Sequence, residues 1–388
     1  METEHLYIIG NGFDRYHGAK SSYWDFRGYL LQHDEWCAKF FELFFGPRSL
    51  LNNFDDPLDF ELSTMFGKGL PHPRNTWATK YLWSDFERHL GEFDREKVFD
   101  FLDMRLPTVD EDDDRFTYAD FYAPIDFIAD TVNECTFEMQ YRFHRWVNTL
   151  QYAKGFKGNM IELNRGALFL NFNYTLFLEE HYDVASDRIC YIHGNRRQPF
   201  GSLVLGHRDT DTEEAFERWR HQHVRRRRYR PNLKDRHGRY FANDKLEYLA
   251  YFHDDERDGM HGYRLPIRYY AVEEAVGLTE EYFRHNTKQC DEIIRRNRRF
   301  FELLSDVKLI TVLGHSMSDV DLPYFQEILR HVRHPEKIEW QFTCNCDRDV
   351  ANRNRYCKLL NIGSESNARE PYTISDFKAS RAGIHSHR

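Results

Sequence analysis

The stretch that constrains this chain most is its first apolar run, which closes on Gly10-Asn11-Gly12-Phe13-Asp14. Tyr7, Ile8 and Ile9 read as a short buried strand, and the residues after Gly12 read as the start of a helix. Such a turn can hold a nucleotide. Gly10 permits the tight turn, Gly12 lets backbone approach a ligand, and the free N–H groups of the first helical turn suit a phosphate. The same pattern also occurs as a plain tight turn. Arg15 stands where the third glycine of a dinucleotide fingerprint belongs, so the motif does not decide by itself.

Later strands sharpen the reading. Ala167 to Phe172 ends in Asn173-Tyr174-Thr175, Ile189 to Ile192 ends in His193-Gly194-Asn195, and Leu203-Val204-Leu205 ends in Gly206-His207. The strongest strand, Val307 to Leu313, ends in Gly314-His315-Ser316-Met317-Ser318-Asp319-Val320-Asp321, and a last strand follows at Lys337 to Thr343. Ligands of open parallel sheets bind outside the carboxyl ends of the strands, so polar residues gathered at successive strand ends mark a site. Gly314 and Ser316 suit a phosphate or ribose, and Asp319 or Asp321 can accept sugar hydroxyls. Equally, Ser318 or Asp319 can simply cap the next helix.

Between the strands the pattern is helical. Trp83, Phe86, Leu90 and Phe93 recur at helical spacing, as do Met139, Phe143, Trp146, Val147 and Leu150, and both stripes read as core. The expected organisation is an α/β, Rossmann-like parallel sheet with large helical insertions. Its discontinuous core takes residues 1–30, 160–210 and 300–350, with a helical insertion at 31–159, a charged helical insertion at 211–299 and a flexible tail at 362–388. The acidic run of Asp110 to Asp114 reads as a solvated loop, and the basic cluster Arg225 to Arg230 reads as an exposed face or a phosphate-backbone contact.

Composition excludes several classes. The net charge of −9 argues against a chain devoted to nucleic acid, and no segment approaches the ~18–20 apolar residues of a membrane helix. The N-terminus lacks the basic and apolar regions of a signal peptide, so a cytoplasmic protein with no membrane partner is expected. Seven scattered cysteines form no Cys-x-x-Cys pair, which speaks against a disulfide framework or a zinc ribbon. Cys344 and Cys346 would share a strand face, where two core thiols are the simpler reading and no metal is expected.

Taken in order, several blocks resemble the AbiH family of bacterial abortive-infection proteins. They are Gly10 to Asp14 with His17-Gly18 and Ser22-Tyr23, Trp83 to Glu87, Asn171 to Thr175, Ile192-His193-Gly194 and Gly314 to Asp321. The same chain also looks like a remote sirtuin-type (SIR2-like) NAD-binding fold, through Gly10-Asn11-Gly12, Asp25-Phe26-Arg27, Asn173, His193-Gly194 and Gly314-His315-Ser316. It departs from that fold in lacking a zinc module after His193-Gly194 and in carrying Tyr174-Thr175 after the Asn. The resemblance implies an antiphage effector that binds NAD and hydrolyses its nicotinamide–ribose bond, with Asn173 and His193 catalytic. Gly10, Asn11, Gly12, Phe13, Asp14, His17, Gly314, His315, Ser316, Asp319 and Asp321 would bind the nucleotide. Two alternatives stay open, a non-catalytic NAD or ADP-ribose sensor and an RNA-cleaving toxin using Arg225 to Arg230. A homo-oligomer and a phage-derived trigger or partner protein are the further partners this reading implies.

Overall fold

The computed structural model describes residues 4–45, 77–93, 98, 118–207, 264–362 and 372–378. The acidic run Asp110 to Asp114, the basic cluster Arg225 to Arg230 and residues 211–263 of the charged insertion lie outside the described residues.

Five strands form one sheet: β1 (His5–Ile9), β2 (Leu168–Asn171), β3 (Ile189–Tyr191), β4 (Leu309–Leu313) and β5 (Glu339–Phe342). Every neighbouring pair is parallel, in the order β3-β2-β1-β4-β5. The chain therefore builds outward from β1 on one side and returns to the other side at β4. Strand order reverses between β1 and β4, which places their carboxyl ends at a topological switch point. This is an α/β, Rossmann-like architecture, the class that the strand pattern predicts.

Alternation along the strands explains the two packed faces. Leu6 and Ile8, Leu168 and Leu170, and Ile310 and Val312 join one cluster, together with Phe325 and Ile328 of the helix Leu322–His331. Tyr7, Ile9 and Phe169 point the other way, into a second cluster with Phe13, Leu178 and Tyr182. A strand buried on both faces needs the continuous apolar runs seen in the sequence. Burying each large side chain contributes about 1.5–3 kcal/mol.

Leu203-Val204-Leu205, expected as a strand, forms none: the chain bends at Leu203. Gly194, at φ 82°, turns the chain back after β3, and the Val204 N–H then donates to the His193 carbonyl at 2.9 Å. In the expected tail, 363–371 and 379–388 lie outside the described residues, whereas 372–378 is hydrogen-bonded. Tyr372 N–H donates to the Phe342 carbonyl, Cys344 N–H to the Tyr372 carbonyl, and Glu162 N–H to the Phe377 carbonyl.

The chain divides into two compact units. The sheet unit takes residues 1–29, 140–208 and 288–388, and the second takes 30–139 and 209–287. Segments 140–159 and 288–299 thus group with the sheet. Phe143 and Trp146 pack on Phe26, with ring centroids 5.3 and 5.1 Å away. The second unit is helical among its described residues and has an aromatic core. Trp83 stacks on Phe86 and donates its indole N–H to Glu42 at 2.8 Å, while the Tyr282 hydroxyl donates to the Leu90 carbonyl.

One contact fixes the switch point. A Cβ at Gly12 would lie 2.7 Å from the Gly314 Cα, and one at Gly314 would lie 2.3 Å from the Phe13 nitrogen. Gly314 also holds φ 65°. Gly12→Ala and Gly314→Ala are each expected to destabilise by about 2–4 kcal/mol in urea unfolding, through overpacking and, at Gly314, backbone strain. Gly28, inside the helix Tyr23–His33, has nothing within 4 Å of an added Cβ. Gly28→Ala is expected to stabilise by ~0.5–1 kcal/mol in the same measurement.

Candidate functional site

The turn after β1 is held from inside the protein. Gly12 N–H donates to the Gly314 carbonyl at 2.7 Å, and Phe13 N–H donates to the Gly10 carbonyl at 2.9 Å. The Asn11 amide donates to the Ser21 carbonyl at 2.6 Å and accepts from the Ser21 hydroxyl at 2.5 Å, tying the next loop to the turn. Phe13 is fully buried. His17 is buried with both ring nitrogens engaged, Nδ1 with the Phe13 carbonyl at 2.8 Å and Nε2 with the Tyr182 hydroxyl at 2.5 Å. Its ring stacks on Tyr152, so what the structure displays at His17 is a packing role.

Beside this turn lies a buried carboxyl. Asp14 accepts from the Thr175 hydroxyl at 2.6 Å and from the Asn173 side chain. Burial is the main influence on this group and raises it to about 7, against smaller downward pulls from Thr175, Asn173 and Arg196. Asn173 is itself shaped by β2: its N–H donates to the Asn171 side chain at 2.9 Å, an Asx-type turn that stops the strand. The Asn173 amide then reaches back to the Gly10 carbonyl at 3.1 Å. Its donors are thereby used on Gly10 and Asp14, and its side-chain oxygen remains to accept.

A second cluster forms at the ends of β3 and β4. His193 Nε2 faces Asp321 Oδ1 at 3.7 Å, His315 Nε2 faces Asp321 Oδ2 at 3.4 Å, and Lys288 Nζ lies 3.6 Å from Asp321 Oδ1. His315 Nδ1 accepts the Met317 N–H at 2.9 Å, which puts the ring proton on Nε2, toward the carboxylate. The Phe172 ring stands edge-on to both imidazoles, 5.3 Å from His193 and 4.4 Å from His315. All four polar side chains are buried.

Burial would raise the Asp321 carboxyl, but Lys288, the hydrogen bond from His315 and the two imidazoles outweigh it and hold the group well below the usual range. His193 moves down, mainly through burial and then through the Lys288 charge, with Asp321 opposing. It is neutral at pH 7. Met317 holds φ 52°, a left-handed backbone rarely adopted by a non-glycine residue, and such strain collects at functional sites. Two buried atoms of this cluster, His193 Nε2 and Asp321 Oδ1, make no hydrogen bond within the described residues.

The profile of the family described as "Bacteriophage abortive infection AbiH" matches residues 6–343, the span that carries both clusters. The chain belongs to the AbiH family. Membership supports a role in phage abortive infection. No curated relative matches the chain, and no solved structure does.

Within this AbiH chain the sequence-predicted residues other than Phe13 and His17, which are packed in the core beside the first turn, separate into three groups. Gly10, Asn11, Gly12, Asp14, Asn173 and Gly314 form one connected set around the first turn. His193, His315 and Asp321 form the other. Ser316 and Asp319 stand outside both: Ser316 is exposed and accepts at its carbonyl from Asn352, and Asp319 is exposed and pairs with Arg355 at 2.8 Å. Asp25-Phe26-Arg27 is spent on folding, with Asp25 accepting from Ser22 at the start of a helix and Phe26 in the core. The residue sequence reasoning missed is Lys288. No local pattern marks it, because Asp321, with which it pairs, is 33 positions away.

Among the described residues, one group could place metal-ligand atoms within 4.8 Å of one another: Asp34, Cys37 and Glu134 of the second unit. There the Cys37 thiol donates to the Glu134 carbonyl and is pushed up by burial first and then by Cys135 and both carboxylates.

The raised Asp14 has a measurable consequence. Folded AbiH binds this proton more tightly than the unfolded chain, whose carboxyl titrates near 3.8. The stabilisation is complete below about pH 4 and is lost as pH rises through 7. Wild type is expected to lose about 2–3 kcal/mol relative to Asp14→Asn between pH 5 and pH 8 in urea unfolding. Parallel curves would show that the carboxyl titrates normally.

Proposed function

We propose that this AbiH protein binds NAD at the carboxyl ends of β1 to β4 and hydrolyses the bond between nicotinamide and ribose. The observation that carries the reading is the pairing of His193 with the buried Asp321 at the end of β3, one strand from Asn173 at the end of β2. The sirtuin-like order of these residues adds to it.

The chemistry needs few groups. Water adds to ribose C1′ while the bond to nicotinamide breaks, and the electron pair leaves on the nicotinamide nitrogen. Charge spreads over an oxocarbenium-like ribose. The Asn173 side-chain oxygen suits the ribose hydroxyls or the attacking water, because its amide nitrogen is held by Gly10. His193, neutral at pH 7, can take the proton that the water gives up. With Nε2 turned to Asp321, Nδ1 is the atom left for that transfer, and the carboxylate favours the imidazolium that results. The Gly10 to Asp14 turn and the segment from Gly314 to Asp321 would flank the rest of the nucleotide. A constitutive enzyme of this kind would kill its host, so a phage-derived trigger and assembly into a homo-oligomer belong to the same proposal.

One observation favours a second reading, nucleotide sensing without turnover. Gly12 N–H is spent on the Gly314 carbonyl, and Gly10 and Gly12 pack against Gly314-His315 where a ligand phosphate would need room.

Nicotinamide release from NAD by the purified protein, with and without phage-infected cell extract, separates the two. The catalytic reading expects release that falls at least about 100-fold in both Asn173→Ala and His193→Ala. Undiminished release in both variants removes these residues from the mechanism. Tight NAD or ADP-ribose binding by calorimetry, with no release under any condition, supports the sensor.

A further inference from the structure

We propose that Lys288 and Asp321 form a buried positioning pair that sets the tautomer and charge state of His193. Its use as a catalytic base rests on the proposed NAD chemistry, whereas the coupling of the three side chains does not.

The geometry is specific. The Lys288 side chain is fully buried and that of Asp321 is 8% exposed, and Nζ lies 3.6 Å from Oδ1. An ammonium and a carboxylate so deeply placed are costly to keep ionised unless they are paired. Three groups converge on this one carboxylate: Lys288 and His193 on Oδ1, and His315 on Oδ2. His315 is already oriented by the Met317 N–H, so its contact with Oδ2 fixes the plane of the carboxylate. Oδ1 is then left pointing at both Lys288 and His193.

At 3.7 Å the His193 contact is longer than a hydrogen bond, and both atoms lack a hydrogen-bonding partner among the described residues. Such contacts are commonly loose before substrate arrives and tighten in the reacting complex. Among the described residues, three aromatic rings also pack beside His193: Phe172, Tyr174 and Tyr324, with ring centroids 5.3, 6.3 and 5.6 Å away. Lys288, Asp321 and His315 therefore carry the local electrostatics. Lys288 opposes a proton on His193 and Asp321 favours one. Lys288 also keeps Asp321 ionised, so that it presents an acceptor to Nε2–H and leaves Nδ1 as the basic atom.

Lys288 is itself placed by backbone. Its N–H donates to the His207 carbonyl at 2.7 Å, just before the helix Cys290–Arg296, and the Cys290 thiol lies against the Val320 carbonyl next to Asp321. The segment after His193 and the segment around Asp321 are thus both anchored beside this lysine. That is the arrangement a positioning role requires.

The test is imidazole NMR of the full chain with ¹⁵N-labelled histidine, His193 being assigned from the His193→Ala spectrum. Wild type is expected to show His193 protonated on Nε2 and neutral at pH 7, because burial and the Lys288 charge move it down. Lys288→Met is expected to raise its apparent pKa by roughly one unit or more, and Asp321→Asn to abolish the Nε2–H preference. The double variant Lys288→Met/Asp321→Asn removes both buried charges together, which guards against a single variant failing to fold. It is expected to return the His193 pKa toward the wild-type value. In NAD hydrolysis the acid limb of kcat/KM should move to higher pH in Lys288→Met. A His193 signal with the Nδ1–H tautomer in wild type, or an Nε2–H preference kept in the folded double variant, overturns the proposal. Shifted NMR titrations in a protein that releases no nicotinamide would uphold the positioning pair and remove the NAD reading instead.

Discussion

The close backbone contact between Gly12 and Gly314 is the constraint on which the rest of the site depends. A parallel sheet whose order reverses between β1 and β4 leaves two loops leaving the switch point in different directions. Here they meet, with Gly12 N–H donating to the Gly314 carbonyl at 2.7 Å and no room for a side chain at either position. The contact fixes where the chain leaves β4, and so where His315 and Asp321 stand relative to the end of β2. Asn173 reinforces it from the other side by donating to the Gly10 carbonyl. The glycines thus act first as a joint between strands, and any role in holding a ligand is built on that joint.

Two buried aspartates on this framework behave in opposite ways, and their partners explain why. Asp14 receives hydrogen bonds from the neutral Thr175 and Asn173, which are too weak to offset desolvation, and it rises to about 7. Asp321 is as deeply placed but has an ammonium and two imidazoles around it, and it goes down. A carboxyl that exchanges its proton near neutrality therefore stands by β1 and β2, and a fixed negative charge stands by β3 and β4. Tyr152, half-buried with a buried hydroxyl that makes no hydrogen bond within the described residues, is pushed up by desolvation and then by Asp14. Separated proton affinities of this kind are what acid–base chemistry at neutral pH uses.

Much of the framework was legible in the sequence because it is local. The runs Tyr7 to Ile9, Leu168 to Leu170 and, interrupted only by Thr311, Leu309 to Leu313 are apolar segments closed by glycine or polar residues, and they became β1, β2 and β4. The stripes of Trp83, Phe86, Leu90 and Phe93, and of Phe143, Trp146 and Val147, are buried, but the first is split between the short helices Trp77–Ser84 and Phe86–His89, and Phe93 forms a bridge with Phe45 instead of continuing a helix. Leu203 to Leu205 misled because a strand is defined by a neighbour, and the Gly194 turn gives Val204 to the His193 carbonyl instead. At the site, chain order singled out His193, His315 and Asp321 but could not say that they meet. Lys288 was invisible for the same reason, since its meaning lies wholly in a contact with Asp321. Ser316 and Asp319 carry the right chemistry in sequence, yet the left-handed Met317 turns the chain there and leaves both exposed.

The carboxyl edge of this sheet is proposed as a nucleotide site. A crystal structure grown with NAD or ADP-ribose measures it most directly. The nucleotide is expected against Gly10 to Asp14 and Gly314 to Asp321, with its nicotinamide-side ribose between Asn173 and His193. A nucleotide bound elsewhere, or none at saturating concentration, would contradict it.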